Sequence, residues 1–142
     1  MIVIEKAQLA EITKHSEDAY PYECCGLLVG QFRREHAYVA EAHKSSNIAS
    51  QPRKLFEVDP QLRFDLEKRL RGDSLSLVGV YHSHPEGEAI PSKTDVERAW
   101  EQNMVWLITS VKNGNVALTA AYLVVEPQTK FVEIPMKIVS GT

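Results

Sequence analysis

Two histidines and an aspartate are the residues of this sequence best suited to chemistry. His82 and His84 are separated by one residue, and Asp95 follows after a short segment. We expect a strand from Ser76 to His84, in which alternate side chains share a face, so both imidazoles would point in one direction. Two imidazoles and one carboxylate leave a fourth tetrahedral position open, the pattern of catalytic rather than structural zinc. A metal in such a site lowers the pKa of a bound water towards neutrality.

The segment after the predicted strand has to bring Asp95 back to the histidines. Pro85 to Pro91 is predicted to be a loop, and Ser92 followed three residues later by Asp95 is typical of a helix capping box. Capping and metal binding are compatible, because the helix start that the cap produces also fixes Asp95 in space.

The same residues allow other interpretations. An isolated His-x-His is most often a chance pair of surface histidines. The spacing His82-x-His84-x-x-x-Glu88 imitates a cupin motif, but the flanking glycines are absent and the helical segments disagree with an all-β fold. A non-haem iron site also uses two histidines and a carboxylate, although the ligand order and the Pro91-Ser92 element favour a hydrolase.

The elements that would position these residues alternate between helical and strand patterns. Helices are predicted over residues 7–20, from Asp59-Pro60 to Gly72-Asp73, and over Ser92 to Gln102. We expect Val96, Ala99 and Trp100 on the buried side of the third helix. Strands are predicted over Gly26–Phe32, His36–His43, Ser76–His84, Met104–Val111, Val116–Val125 and Phe131–Val139, with a hairpin turn at Asn113-Gly114. The predicted fold class is α/β, with a mixed sheet and about three helices.

Composition and charge exclude several functional classes for this chain. The chain has 142 residues, 44% hydrophobic and 25% charged, which is typical of a single globular domain. Sixteen basic and 19 acidic residues give a net charge of −3, which argues against nucleic-acid binding and against binding to anionic membranes. No apolar run approaches the roughly 20 residues that cross a bilayer, and the first residues lack a signal-peptide pattern. The adjacent Cys24 and Cys25 are poorly placed for a disulfide, so we expect a reducing compartment, the cytoplasm.

Three segments resemble a known family. His82-x-His84, seven residues, Ser92, two residues and Asp95 match the signature of the JAMM (MPN+) metalloproteases, also described as JAB or Mov34-type. Glu23-Cys24-Cys25-Gly26-Leu27-Leu28-Val29-Gly30 resembles that family's Glu-x-Cys-Gly-Leu-Leu-x-Gly segment. A third segment, with Asn47, Pro52, Phe56 and Asp59-Pro60, resembles the middle region of that family. The order of the segments over roughly residues 1–125 is also the family's, and the short chain is similar to its compact, stand-alone bacterial or archaeal form.

The resemblance implies a fold and a set of roles. The fold would be a single JAMM/MPN domain of the cytidine deaminase-like kind over residues 1–142. One Zn²⁺ per chain would be held by His82, His84 and Asp95. Glu23 would be the general base, taking a proton from the zinc-bound water and passing it to the leaving amine. Ser92 would hydrogen-bond the oxyanion or orient the water.

The resemblance also implies a substrate. The bond cleaved would be the peptide or isopeptide bond after the C-terminal Gly-Gly of a ubiquitin-like or sulfur-carrier protein. Strand addition of the extended glycine tail to a sheet edge is a reasonable binding mode. The alternative is a non-catalytic MPN-type scaffold, which the presence of all three ligand types, Ser92 and Glu23 disfavours. The oligomeric state is left open, with a homodimer as one alternative.

Overall fold

The structure, a computed structural model, describes residues 1–140. Within these residues there are three helices, α1 (Lys6–Ala19), α2 (Pro60–Arg69) and α3 (Lys93–Arg98). The strands are β1 (Ile2–Glu5), β2 (Cys25–Arg33), β3 (His36–Ser45), β4 (Ser76–Pro85), β5 (Val105–Lys112), β6 (Asn115–Glu126), β7 (Lys130–Ile134) and β8 (Met136–Val139). The predicted α/β class with three helices is therefore confirmed.

All eight strands form one mixed sheet in the order β7-β6-β5-β4-β2-β3-β1-β8. The hairpin neighbours β2 and β3, β5 and β6, and β6 and β7 pair antiparallel, as does β2 with β4. The strand β4 runs parallel to β5, and β1 runs parallel to both β3 and β8. The strand that carries the two histidines is therefore central, with β2 on one side and β5 on the other.

The helices cover both faces of the sheet. In β2, Leu28 belongs to the cluster beneath α1, whereas its neighbour Leu27 packs with α2 through Leu66 on the opposite face. In β5, Leu107 packs in the cluster beneath α1, and its neighbour Trp106 packs in a separate cluster on the opposite face. This alternation is what a strand buried on both sides requires.

The register of β2 against β4 determines what meets the histidines. Cys25 pairs with His82 across these antiparallel strands, and Ser83 N donates to Cys24 O at 3.1 Å. Continuing this register by two steps, through Cys24 and Ser83, sets Glu23, which precedes β2, opposite His84. Two segments that are distant in sequence are thus joined at one end of the central strand pair.

The predicted third helix was too long. It ends at Arg98, and the backbone of Ala99 leaves the helix with its carbonyl accepting a hydrogen bond from Gln128 N at 2.8 Å. Ala99 is buried as predicted, but the inward placement of Trp100 was wrong, because its side chain is 69% exposed. The hydrogen bond from Gln128, in the β6–β7 turn, thus takes the place of the last turn of the predicted helix.

Two strand predictions also need correction. The segment Phe131–Val139 is two strands, β7 and β8, separated at Pro135, which has no N–H to donate to a ladder. The strand β1 was not predicted, although Ile2 and Ile4 are fully buried in it. No helix within residues 1–140 is both long enough and apolar enough to span a membrane.

Candidate active site

The side chains of His82, His84 and Asp95 converge at the end of β4. The two Nε2 atoms lie 2.9 Å apart, and Asp95 Oδ2 is 3.2 Å from the first and 3.1 Å from the second. The group is buried, with side-chain exposures of 0% for His82, 12% for His84 and 7% for Asp95. The predicted strand geometry and the predicted return of Asp95 are both observed.

Asp95 is held by the helix start that the sequence predicted. Ser92 is the N-cap of α3, and its Oγ accepts a hydrogen bond from Asp95 N at 3.0 Å. In return Ser92 N donates to Asp95 Oδ2 at 2.9 Å, completing a capping box. The same carboxylate oxygen therefore faces both the helix start and the two imidazoles.

The two imidazoles are fixed by different means. His84 Nδ1 lies 2.8 Å from the Glu88 carbonyl oxygen, which can only accept, so Nδ1 carries the proton and Nε2 is left for the cluster. The ring of His82 is instead packed, stacked on Phe56 at 4.1 Å between centroids and edge-on to Trp106 at 5.5 Å. Of the buried side-chain nitrogens and oxygens in residues 1–140, His82 Nδ1 alone lacks a hydrogen-bond partner.

The donor set fits a metal ion. Around a tetrahedral ion with bonds near 2.0 Å, neighbouring ligand atoms are separated by about 3.3 Å, close to the three separations in this cluster. The surroundings shift the pKa values of the two histidines in opposite directions. Burial lowers the pKa of His82. For His84 burial is outweighed by hydrogen bonds to Asp95 and the Glu88 carbonyl, so its pKa is raised. Despite burial, the two histidines hold the pKa of Asp95 well below its usual range.

Glu23 is the fourth member of the cluster. A carboxylate oxygen of Glu23 and one ring nitrogen each from His82 and His84 all lie within 4.8 Å of one another, a group that could hold a metal ion. Glu23 is only 6% exposed, and burial raises the pKa of its carboxyl to about 8, with Asp95 adding to the rise and His84 opposing it. The structure thus brings every predicted site residue into one cluster or onto its edge, while their roles stay predictions.

The raised pKa of Glu23 predicts a pH-dependent stability of the metal-free protein. Between its ordinary value of 4.5 and about 8, the folded protein keeps a proton that the unfolded chain releases, so stability falls as pH rises through this interval. Glu23→Gln removes this dependence and should be more stable than the wild type by about 4 kcal/mol at pH 8, with little difference at pH 4.5. Urea denaturation of both proteins after chelation measures the effect.

Glu133→Gln is the matched control for this experiment. It removes an exposed carboxylate from β7, and its stability should follow that of the wild type at every pH. Equal pH slopes for Glu23→Gln and the wild type would contradict the prediction.

The backbone around Glu23 is held from two sides. Glu23 N donates to Pro52 O at 2.8 Å, and its carbonyl accepts from Asn47 Nδ2 at 2.9 Å. Next to it, Cys24 N donates to the buried Ser83 Oγ at 2.8 Å. The candidate base is thus tied both to β4 and to the loop that follows β3.

Asn47 organises that loop. Its Nδ2 also donates to Leu55 O, and its Oδ1 accepts from Ala49 N and from Glu57 N. These bonds shape the segment that brings Phe56 onto His82. In the sequence, Asn47 and Phe56 are marked only by the family resemblance, because their contacts with Glu23 and His82 join segments that are distant in the chain.

The remaining predicted residues are structural. Cys25 is fully buried and Trp106 is 6% exposed, as predicted for packing residues. Cys24 is also buried, with Ser16 Oγ 3.4 Å from its sulfur. Burial raises the pKa of both thiols, that of Cys25 to about 12, so neither has thiolate character.

Comparisons with known proteins show what this chain is similar to. Residues 5–123 match the family described as prokaryotic homologs of the JAB domain. A desampylase from Haloferax volcanii is 40% identical over 90 residues, 63% of this chain and 63% of the relative. A probable TtuB-protein conjugate cleaving protease from Thermus thermophilus is 32% identical over 70% of this chain and 64% of its own length. The matches thus span just under two thirds of these two relatives.

A third relative and two solved structures extend the likeness. A CysO-cysteine peptidase from Mycobacterium tuberculosis is 25% identical over 89% of this chain and 84% of its own. The solution structure of a protein from Desulfitobacterium hafniense has a TM-score of 0.85 at 26% identity, covering 99% of this chain and 94% of that one. A JAB1/MPN domain protein from Archaeoglobus fulgidus has a TM-score of 0.61 at 17% identity, covering 99% and 98%, and shares the fold.

Proposed function

The chain belongs to the family of prokaryotic homologs of the JAB domain, and from this premise we propose that it is a zinc-dependent peptidase. It cleaves the peptide or isopeptide bond after the C-terminal Gly-Gly of a ubiquitin-like or sulfur-carrier protein, in the cytoplasm. The single observation that carries the proposal is the convergence of two imidazole nitrogens and two carboxylates at one end of β4. Three of these groups suffice to bind the ion and the fourth is left to move protons.

His82, His84 and Asp95 would hold the ion. Zinc in this position would act as a Lewis acid and lower the pKa of water. The burial of the three side chains strengthens their electrostatic attraction for a cation, because little solvent screens it. Asp95 contributes the negative charge, and its capping bond to Ser92 holds the carboxylate in one orientation.

Glu23 would carry the proton. Burial gives its carboxyl a pKa of about 8 in the metal-free protein, and a nearby cation would lower that value towards neutrality. A carboxyl that titrates near the working pH can accept a proton from the attacking water and return it to the leaving amine. Ser92 Oγ accepts from Asp95 N, which leaves its own proton free to donate to the oxygen of the substrate carbonyl.

The relatives support the class of substrate. One is named for cleaving TtuB-protein conjugates and another for its action on CysO-cysteine. In the first name the group attached to the carrier is a protein, and in the second it is a cysteine. The absence of a strongly basic balance, with a net charge of −3, is consistent with a protein tail as the substrate.

The test is cleavage of carrier proteins with extended C-termini. Ubiquitin-like proteins ending in Gly-Gly and extended by a cysteine or a short peptide are incubated with the purified chain. Mass spectrometry should show loss of the extension and a product ending in Gly-Gly. Chelation should abolish cleavage, and added zinc should restore it.

Two controls separate the parts of this proposal. Carriers in which Ala-Ala replaces Gly-Gly should be cleaved poorly, since glycine lets the tail approach the site closely. A zinc-loaded protein that cleaves none of the carriers would contradict the substrate class. A protein that binds no zinc under gentle purification would favour the scaffold alternative.

A further inference from the structure

The loop after β4 is held in an unusual way. Loop carbonyls at a surface generally face water, yet each carbonyl oxygen of residues 86–89 accepts a hydrogen bond from a side chain. The donors, in the order of the carbonyls they bind, are Lys112 Nζ at 3.2 Å, Ser110 Oγ at 2.5 Å, His84 Nδ1 at 2.8 Å and Tyr122 Oη at 2.6 Å. Only one of these four donors belongs to the cluster described above.

We propose that Ser110 and Tyr122 are positioning residues for His84, acting through the loop carbonyls. This inference rests on the proposed function, in which His84 Nε2 binds zinc. The Glu88 carbonyl orients the His84 ring, and the carbonyls on either side of it are fixed by Ser110 and Tyr122. Neither residue belongs to the cluster of His82, His84, Asp95 and Glu23; both bind loop carbonyls.

The geometry of the peptide planes carries the argument. A shift of the loop that carries the Glu88 carbonyl away from His84 has to move the peptide planes on either side of it as well. Ser110 Oγ holds the Gly87 carbonyl and Tyr122 Oη holds the Ala89 carbonyl, so the planes before and after are both restrained. The Glu88 oxygen is therefore kept facing Nδ1.

The donors come from strands that the sheet fixes relative to His84. Ser110 on β5 pairs with His84 on β4, and Tyr122 on β6 pairs with Trp106 on β5. Tyr122 is 6% exposed and packs in the same cluster as Ala89. A Cβ added at Gly87 would lie 3.2 Å from His84 Cβ, so the loop is also closely packed against the histidine. Ser110 and Tyr122 are held in place by strand pairing, so the loop carbonyls that they bind hold the His84 ring in one orientation.

A proton on Nδ1 is what makes Nε2 available as a ligand. Metal-binding histidines commonly donate the other ring N–H to a carbonyl or carboxylate, and loss of that partner typically weakens metal binding by 10–100-fold. His82 has no such partner and depends on Phe56 and Trp106 instead. The two histidines should therefore respond differently when the loop is loosened.

The experiment uses Tyr122→Phe, which removes only the hydroxyl group. Zinc affinity of the full chain is measured by competition with a chromophoric chelator, and the side-chain ¹⁵N–¹H signal of His84 Nδ1 is followed by NMR. We expect zinc binding to weaken by about 10-fold, the lower end of the cost of losing a ligand's hydrogen-bond partner outright, with faster solvent exchange of the His84 Nδ1 proton and little change at His82. Tyr38→Phe on β3, whose ring packs under Arg33 at the end of β2, is the matched control and should change neither quantity.

Two further measurements keep the outcomes distinct. Lys112→Met removes the donor to the Glu86 carbonyl, the first of the four, and the Lys112 side chain is half-exposed. It should weaken zinc binding by a smaller factor than Tyr122→Phe, and it tests the inference even if Tyr122→Phe does not fold. A Tyr122→Phe protein with lower thermal stability but unchanged zinc affinity and unchanged His84 signal would overturn the inference. Failure of the wild type to bind zinc would instead overturn the proposed function.

Discussion

Glu23→Gln is expected to lower kcat by about 10³-fold while zinc content and KM stay close to the wild-type values. General acid and base catalysis by one positioned group contributes between about 10² and 10⁴. Glutamine keeps the size and hydrogen-bonding shape of the side chain but cannot accept and return a proton. Steady-state kinetics on a Gly-Gly carrier with a C-terminal extension, together with metal analysis of the same samples, measures both quantities.

The kinetic control is again Glu133→Gln, an exposed carboxylate on β7. It should turn over at the wild-type rate. If Glu23→Gln lost its zinc as well as its activity, Glu23 would be a ligand instead of the base. That outcome has a structural rationale, because Glu23 lies within 4.8 Å of both histidine nitrogens.

Asp95→Asn should weaken zinc binding by about 100-fold or more and abolish turnover at ordinary zinc concentrations. Loss of a residue behind a ligand costs 10–100-fold, and here a ligand and its negative charge are both lost. Asparagine still accepts the hydrogen bond from Ser92 N, so the start of α3 is preserved. Metal content after dialysis against a weak chelator gives the result.

Asp65→Asn removes an exposed carboxylate from α2 and should retain the full zinc content. Asp95→Ala is a useful companion, since it removes the capping bond as well as the ligand. If Asp95→Asn retained zinc while Asp95→Ala lost it, helix capping rather than metal binding would be the function of this aspartate.

The sequence predicted the local parts of the site well. His82 and His84 share a face because they alternate in a strand, and Asp95 lies at a helix start because Ser92 caps it. Both patterns depend on neighbours within a few positions. They could therefore be inferred from spacing alone.

The distant parts could not be inferred in this way. Glu23 reaches the cluster through the pairing of β2 with β4, which spacing along the chain does not specify, and only the resemblance drew attention to it. The loop donors Ser110 and Tyr122 come from other strands, and nothing in their local sequence marks them. Trp100 was misplaced for the same reason, since the bond from Gln128 to Ala99 ended the helix before it.

The alternation of side chains along β4 has a consequence for how such a chain can evolve. Inserting or deleting one residue inside β4 would exchange the faces of everything beyond that point. Ser83 would then face the cluster, while His82 and His84 would turn towards the side now occupied by Ser83. A point substitution changes one side chain and leaves the others on their faces, whereas a change in length moves every later side chain of β4 at once. We expect diversity among relatives to accumulate as length changes in the surface loops, with β4 keeping its number of residues.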